Sequence, residues 1–111
     1  MGLSHDILWV DLGTDEALHG ELNDAAIRSD GSVSIDCTFG SDFYIVTLVP
    51  KEGTSQLTGE FQKGRTSLGE RGEVKATRYE NADALVLMGH WAEDGSDYLW
   101  VAEIRKSKLR R

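Results

Sequence analysis

Histidine and carboxylate side chains are the groups in this 111-residue chain most suited to chemistry, but their spacing is unfavourable for it. His5, His19 and His90 lie far apart, unlike the closely spaced ligands of many metal sites. His19 and Glu21 could present two ligands on one strand face, but a third would have to come from elsewhere. The chain contains no GxxxxGK, GxSxG, HExxH or CxxC motif. We therefore predict no metal ion and no cofactor, and an enzyme is not the favoured interpretation.

His90 is the best candidate for a general base. In the register predicted below it lies on an outer strand face beside Glu73, and a carboxylate can orient an imidazole and increase its basicity. The alternative is an ordinary surface pair, worth well under about 1 kcal/mol. No nucleophile accompanies the pair in the sequence, so the surface pair is the preferred interpretation.

Arg78 is predicted to point inward, near Leu85 and across from Gly59. A buried guanidinium is costly unless it is paired, so three outcomes stay open. The side chain reaches the rim, it pairs with an acid such as Asp24, or it binds an anionic ligand. A positively charged mouth is predicted at the other end of the same strands, where three basic residues border a loop: Lys63, Arg65 and Arg71.

One hairpin fixes the register of the elements that position these side chains. The runs Ala84 to Glu93 and Asp97 to Arg105 flank Asp94-Gly95, a pair that accepts the positive φ angles of a type I′ turn. Folding the chain there puts eight uncharged residues on one face, which we predict to be the core face. They pair as Trp91 with Tyr98, Gly89 with Trp100, Leu87 with Ala102 and Leu85 with Ile104.

Two further hairpins follow from the same reasoning. A turn at Gly40-Ser41 pairs Cys37 with Tyr44, and the alternating residues before and after it then share one inner face. A turn at Asn81-Ala82 pairs Val74 with Gly89, Ala76 with Leu87 and Arg78 with Leu85. The glycines at positions 59, 72 and 89 are predicted to make room for large neighbours.

Residues 16–28 are ambiguous. As a strand, Leu18 and Gly20 alternate with polar neighbours; as a helix capped by Thr14, the segment would present an apolar stripe. Gly20 and Asn23 are poor interior helix residues, so a strand is preferred.

About eight strands joined by short turns predict an all-β fold, with a single domain over residues 1–105. We expect an antiparallel meander that closes fully or partly into a small barrel, because the first strand can lie beside the last. A β-sandwich with a short N-terminal helix at 16–28 is the alternative. Residues 106–111 are predicted to be a solvated basic tail. Two segments resemble the glycine–aromatic alternation of calycin-type barrels, the avidin and lipocalin kind, and this resemblance concerns architecture alone: Leu57-Thr58-Gly59-Glu60-Phe61 and Gly89-His90-Trp91.

Two sets of residues are candidates for binding. The first set would line a pocket for an apolar ligand or, as the alternative, fill the core: Tyr44, Phe61, Arg78, Trp91, Tyr98 and Trp100. The second set leaves apolar area on outer strand faces, which predicts a homodimer or a protein partner: Phe43 and Ile45 in one patch, and Val86, Met88, Leu99 and Val101 in another.

Charge and cysteine content narrow the partners. The net charge of −7 disfavours nucleic acid as the main partner, because phosphate backbones are negatively charged. The sequence contains no run of about 18 apolar residues, so we expect no membrane-spanning segment. The single cysteine, Cys37, fits a reducing compartment, and we expect a cytoplasmic protein. We expect a non-catalytic barrel that binds a small, partly apolar ligand, with an anionic group as one option. The alternative is a protein-interaction module, such as a small acidic inhibitor or immunity-type protein.

Overall fold

The computed structural model of the protein describes residues 7–64 and 69–110. His5 and Arg65 lie outside these ranges. Nine β-strands run through the described residues, with a short 3₁₀ turn at Lys106–Lys108: β1 (Ile7–Asp11), β2 (Ala17–Ile27), β3 (Val33–Phe39), β4 (Asp42–Pro50), β5 (Gln56–Lys63), β6 (Arg71–Glu80), β7 (Ala84–Glu93), β8 (Ser96–Arg105) and β9 (Leu109–Arg110).

The first eight strands form a closed antiparallel barrel. Each strand pairs with its neighbours along the chain, and β1 pairs with both β2 and β8, so that Trp9 lies opposite Trp100. The predicted all-β barrel of calycin-like architecture, with its first strand beside its last, is confirmed. Residues 17–27 are strand, so the helical alternative for 16–28 and the sandwich built on it are wrong.

The inner face of the barrel carries the core, and two of the three predicted hairpin registers, β3–β4 and β7–β8, are confirmed. The β7–β8 pairs, including Trp91 with Tyr98 and Gly89 with Trp100, are confirmed. The β3–β4 pair of Cys37 with Tyr44 is confirmed as well. Trp91 and Trp100 are fully buried, as alternation from the Asp94-Gly95 turn requires.

The predicted β6–β7 register is wrong by two residues. Val74 pairs with Trp91 rather than Gly89, and the strands first pair at Glu80 and Leu85. The cause is the side chain of Asn81, whose Oδ1 accepts hydrogen bonds from the backbone N–H groups of the residues two and three positions later, at 2.7 and 2.9 Å. The turn therefore centres on Ala82-Asp83, one residue later than the Asn81-Ala82 turn we predicted, and the Asn81 N–H donates to the carbonyl of Ala84 at 3.1 Å. Moving a two-residue turn by one residue shifts the register by two. A shift of two keeps the inner residues facing inward, because side chains alternate with a period of two.

A bulge in β2 explains why residues 16–28 showed no clean periodicity. The register shifts between Leu22 and Asp24, so the inward positions change phase along the strand. Gly20 is buried before the bulge, whereas Ala25 and Ile27 are buried after it.

The basic C-terminal segment lies against the barrel, in contrast to the solvated tail that we predicted. Leu109 and Arg110 form β9, which pairs in parallel with β2. Arg110 hydrogen-bonds both carboxylate oxygens of Asp24, and the Lys106 ammonium lies 2.7 Å from Glu80 Oε2. These contacts could not be predicted from the sequence, because Asp24 and Glu80 lie on strands far from the C-terminal segment along the chain.

Gly89 marks the closest approach between β6 and β7. A Cβ atom at this position would lie 2.0 Å from the carbonyl oxygen of Lys75 and 2.7 Å from the Cα of Ala76. That carbonyl accepts a hydrogen bond of 3.0 Å from the indole Nε1–H of Trp100 in the core. The β6 backbone therefore occupies the space that any side chain at position 89 would take. At Gly59, likewise, an added Cβ atom would lie 1.8 Å from the carbonyl oxygen of Thr47.

We predict that Gly89→Ala lowers the free energy of unfolding by about 3 kcal/mol, because main-chain atoms cannot move aside as a flexible side chain can. Chemical denaturation followed by tryptophan fluorescence measures the loss. Gly13→Ala is the matched control, since its Cβ would meet only a carboxylate oxygen of Asp11 at 3.3 Å. The control should stay within about 0.5 kcal/mol of the parent protein. Equal stabilities of the two variants would contradict the close approach at Gly89.

Candidate functional site

The aromatic residues predicted to line a pocket contact one another inside the barrel. Phe61 stacks on Trp91 with ring centroids 4.9 Å apart, and Trp91 meets Tyr44 at 5.5 Å and Trp100 at 5.8 Å. Trp9 joins the group with its ring 4.8 Å from that of Trp91. Centroid distances of 4.5–7 Å are those of packed aromatic pairs, so in this part of the barrel the rings form core.

Tyr98 lies at the edge of this ring cluster. Its ring is 5.4 Å from that of Trp9, and the residue is only partly buried. Desolvation raises the Tyr98 pKa, with the charge of Asp11 as the next cause.

Glu93 holds one end of the ring cluster. Its carboxylate accepts a hydrogen bond from the Tyr44 hydroxyl at 3.0 Å and another from the Trp91 indole Nε1–H at 3.2 Å. The Lys63 ammonium lies 3.7 Å from Glu93 Oε2, and only 9% of the Glu93 side chain is exposed. Sequence reasoning missed Glu93, although it lies two positions after Trp91 and therefore on the same face.

Carboxylates surround Lys63 at this end of the barrel. Oxygens of Glu70, Glu93 and Asp94 lie within 4.8 Å of one another, and oxygen is the ligand that hard cations such as Ca²⁺ prefer. The Lys63 ammonium supplies the positive charge there, at 3.9 Å from Glu70 Oε1. A hydrogen bond with Asp94, and then its charge, raises the pKa of Glu70.

We predicted a positively charged mouth formed by Lys63, Arg65 and Arg71, and for Lys63 and Arg71, which the structure describes, this prediction is wrong. Lys63 lies among acids, including Asp42 at 3.8 Å. Arg71 pairs with Glu60 at 2.7 Å. Asp42 and Glu60 lie on the strands adjacent to Lys63 and Arg71, and the sequence analysis did not predict these cross-strand ion pairs.

Arg78 lies at the opposite end of the barrel, paired with an acid. Its Nη2 donates a hydrogen bond of 2.7 Å to Glu80 Oε1, and 31% of its side chain is exposed. Asp24, which we had considered as a partner for Arg78, pairs with Arg110 instead. Hydrogen bonds from Lys106 and then Arg78 lower the pKa of Glu80 to about 2.

His90 lies on the outer face, but its carboxylate partner is Asp97 rather than Glu73. The two side chains approach to 3.2 Å, and both are substantially exposed. Because of the two-residue register shift, Lys75 pairs with His90 across β6 and β7. Glu73 instead lies 3.9 Å from the Lys75 ammonium. The predicted His90–Glu73 pair is wrong for that reason.

A groove of about 280 Å³ opens on the outer surface at the point where β6 and β7 approach each other most closely. Its lining includes Lys75, Ala76 and Gly89, the residues that make this close contact. Apolar and hydrogen-bonding side chains share the walls. The full lining is Leu12, Gln56, Leu57, Thr58, Lys75, Ala76, Thr77, Gly89, His90 and Leu99.

Beside the groove, apolar side chains form a connected patch on the outer sides of β7, β8 and β1, which Tyr79 extends onto β6. Met88 pairs with Val101, and Val101 with Leu8 on the closing strand. Met88, Leu99 and Leu12 are 41%, 42% and 53% exposed. We define the outer apolar face as the continuous set of such residues on β6, β7, β8 and β1, including the loop residue after β1: Leu8, Val10, Leu12, Tyr79, Val86, Met88, Leu99 and Val101.

The other predicted patch is smaller. Phe43 and Ile45 are half-buried, and the cross-strand neighbours of Ile45 are the polar residues Asp36 and Gln62. Apolar surface therefore does not continue from Ile45 onto the adjacent strands. The larger of the two predicted patches is the stronger candidate for binding.

Comparisons with protein-family models, curated proteins and solved structures find no match for this chain. Its function therefore has to be inferred from the geometry described above. Within residues 7–64 and 69–110, no helix has the length and apolarity needed to cross a membrane.

Tyr44 makes the stability of the protein sensitive to alkali. Burial, and then the charge of Glu93, raises the Tyr44 pKa above its ordinary value of 10. The folded pKa exceeds the unfolded one, so this contribution to stability is complete below pH 10 and is lost as the pH rises beyond it. We predict that unfolding free energies measured from pH 9 to 11 fall more steeply for the parent protein than for Tyr44→Phe. Measurements at pH 7 separate the packing cost of the substitution; equal slopes would contradict the prediction.

Glu80 makes stability sensitive to acid in the opposite sense. Its folded pKa of about 2 lies below the ordinary glutamate value of 4.5, so its contribution is present above pH 4.5 and is lost as the pH falls from 4.5 towards 2. We predict a shallower acid dependence for Glu80→Gln and for Lys106→Gln, measured by denaturation between pH 2 and 6. Lys108→Gln, in the same 3₁₀ turn, is the control and should retain the parent slope. A parent slope in Lys106→Gln would exclude the Lys106–Glu80 contact as the cause.

Proposed function

We propose that the protein is a non-catalytic interaction module that binds another protein through the outer apolar face. The observation that carries this proposal is the continuity of apolar side chains across β6, β7, β8 and β1. Four of them are more than 40% exposed. Large contiguous apolar patches are uncommon on proteins that act alone and are typical of binding surfaces.

The filled interior supports a surface function over a ligand inside the barrel. An interior ligand would have to separate the rings of Phe61, Trp91 and Tyr44, which already contact one another. Moving these rings would also break the hydrogen bonds that Tyr44 and Trp91 donate to Glu93. The second candidate function, binding of a small and partly apolar ligand, draws its support from the outer groove of about 280 Å³.

Charge and size favour a different protein over a second copy as the partner. Each copy carries a net charge of −7, so two copies repel each other. Four strands spaced about 4.8 Å apart, with four or five residues of about 3.4 Å along each, give a face of at most roughly 260–330 Å². A stable interface buries about 800 Å² on each partner. The face therefore fits the centre of a larger contact with another protein.

The proposal also includes the class of partner and the location of the protein. A net charge of −7 supports a partner other than nucleic acid, because phosphate backbones are repelled. A reducing, cytoplasmic location is supported by the single thiol, Cys37, which is buried. Burial raises the Cys37 pKa to about 12, so the thiol stays protonated and unreactive.

We predict that Met88→Lys weakens partner binding at least tenfold, because it places an unpaired charge in the centre of an apolar contact. Affinity capture from the native host, compared between variants, measures the effect. Val49→Lys is the matched control, since Val49 is 54% exposed on a different strand, β4. Both variants should keep the parent melting temperature.

Sedimentation velocity of the purified protein tests the alternative partner. A parent dimer that Met88→Lys dissociates would make the partner a second copy. A monomer whose captured proteins are the same for both variants would contradict the proposed function.

A further inference from the structure

The outer groove differs in charge from the rest of this acidic protein. The chain has 19 acidic and 12 basic residues, yet no carboxylate belongs to the groove lining among the residues that the structure describes. Five lining side chains are polar, and one of them is a lysine: Gln56, Thr58, Lys75, Thr77 and His90. This composition is suited to an anionic group.

Lys75 is available to such a group. Glu73 lies 3.9 Å from its ammonium, and the two side chains are 57% and 65% exposed. An ion pair this long and this exposed contributes little, so a ligand can replace it at low cost. Asp97, which lies 3.2 Å from His90, opposes an anion at the other side of the groove. The favourable position is therefore near Lys75 and away from Asp97.

The other end of the groove is apolar. Leu12 and Leu99 are 53% and 42% exposed, and both belong to the outer apolar face. The volume of about 280 Å³ holds roughly nine groups the size of a water molecule. A carboxylate attached to a short apolar chain fits these dimensions.

We propose that the groove binds a carboxylate beside Lys75, with the attached apolar chain over Leu99 and Leu12. This inference rests on the proposed function, because the carboxylate is presented by the docked protein as an acidic side chain next to an apolar residue. The groove supplies recognition of charge at the margin of the apolar contact. Complementary charge of this kind gives an interface specificity.

Three probes with the same six-carbon chain test the preference for an anion: hexanoate, hexan-1-ol and hexylammonium. In NMR titrations of the ¹⁵N-labelled protein, hexanoate should shift the amide signals of Thr77, Gly89 and His90 with an affinity about two- to fivefold tighter than the other two. Lys75→Gln should remove this preference. Lys51→Gln, in the exposed loop between β4 and β5, should retain it.

Each contrary result overturns the inference. Equal binding of the three probes, tighter binding of hexylammonium, or shifts confined to residues outside the groove would exclude an anion site there. A preference for hexanoate that persists in Lys75→Gln would exclude Lys75 as its source.

A peptide pair tests whether a protein can present the carboxylate. Acetyl-Leu-Asp-Leu-amide should bind more tightly than acetyl-Leu-Asn-Leu-amide, by about the same factor as hexanoate over hexanol. Binding of hexanoate without a preference between the peptides would overturn the docked protein as the source and favour a free carboxylate.

The two proposals fail in different ways. If partner capture depends on Met88 but the probes show no preference, the groove inference is wrong and the interaction module stands. If hexanoate and the aspartate peptide bind in the groove but capture does not depend on Met88, the outer apolar face is not the docking surface.

Discussion

The hydrogen bond from the Trp100 indole to the carbonyl of Lys75 joins β8 to β6 across the strand between them. A fully buried indole N–H needs an acceptor, and here the acceptor is a main-chain group of β6, two strands away. Gly89, on the strand between them, has no side chain that would block the contact. The core therefore determines how closely β6 and β7 approach and which residue is tolerated at that point.

The same constraint shapes the outer surface. Lys75, Ala76 and Gly89 make the close approach, and they also line the groove. A larger residue at position 89 would push the strands apart and change the groove together with the core. Meanwhile Glu93 fixes Tyr44 and Trp91 at the barrel end, where the rings fill the interior. Packing inside the barrel thus leaves the outer face and its groove as the surfaces suited to binding.

Local signals determined which parts of this arrangement could be predicted. The β7–β8 register follows from Asp94-Gly95, because these two residues form a type I′ turn and a two-residue turn permits only one pairing of the strands beside it. The predicted β6–β7 register was wrong because a side-chain acceptor, Asn81, places the two-residue turn one position later. The register between β1 and β8 has no turn to define it, since these strands are far apart in the chain. For that reason Leu8 and Val10 could not be assigned to the outer apolar face, although Met88 and Val101 were.

Pairing of charges explains why the groove retains a basic group that a ligand can use. Four basic residues are paired closely in the described part of the chain: Arg71 with Glu60, Arg78 and Lys106 with Glu80, and Arg110 with Asp24, all with contacts of 2.8 Å or less. These contacts hold strands and the C-terminal segment in place. Lys75 differs, since its acid neighbour is 3.9 Å away and both groups are exposed. An incoming carboxylate therefore replaces only a weak contact at Lys75, whereas at these other pairs it would have to replace strong ones.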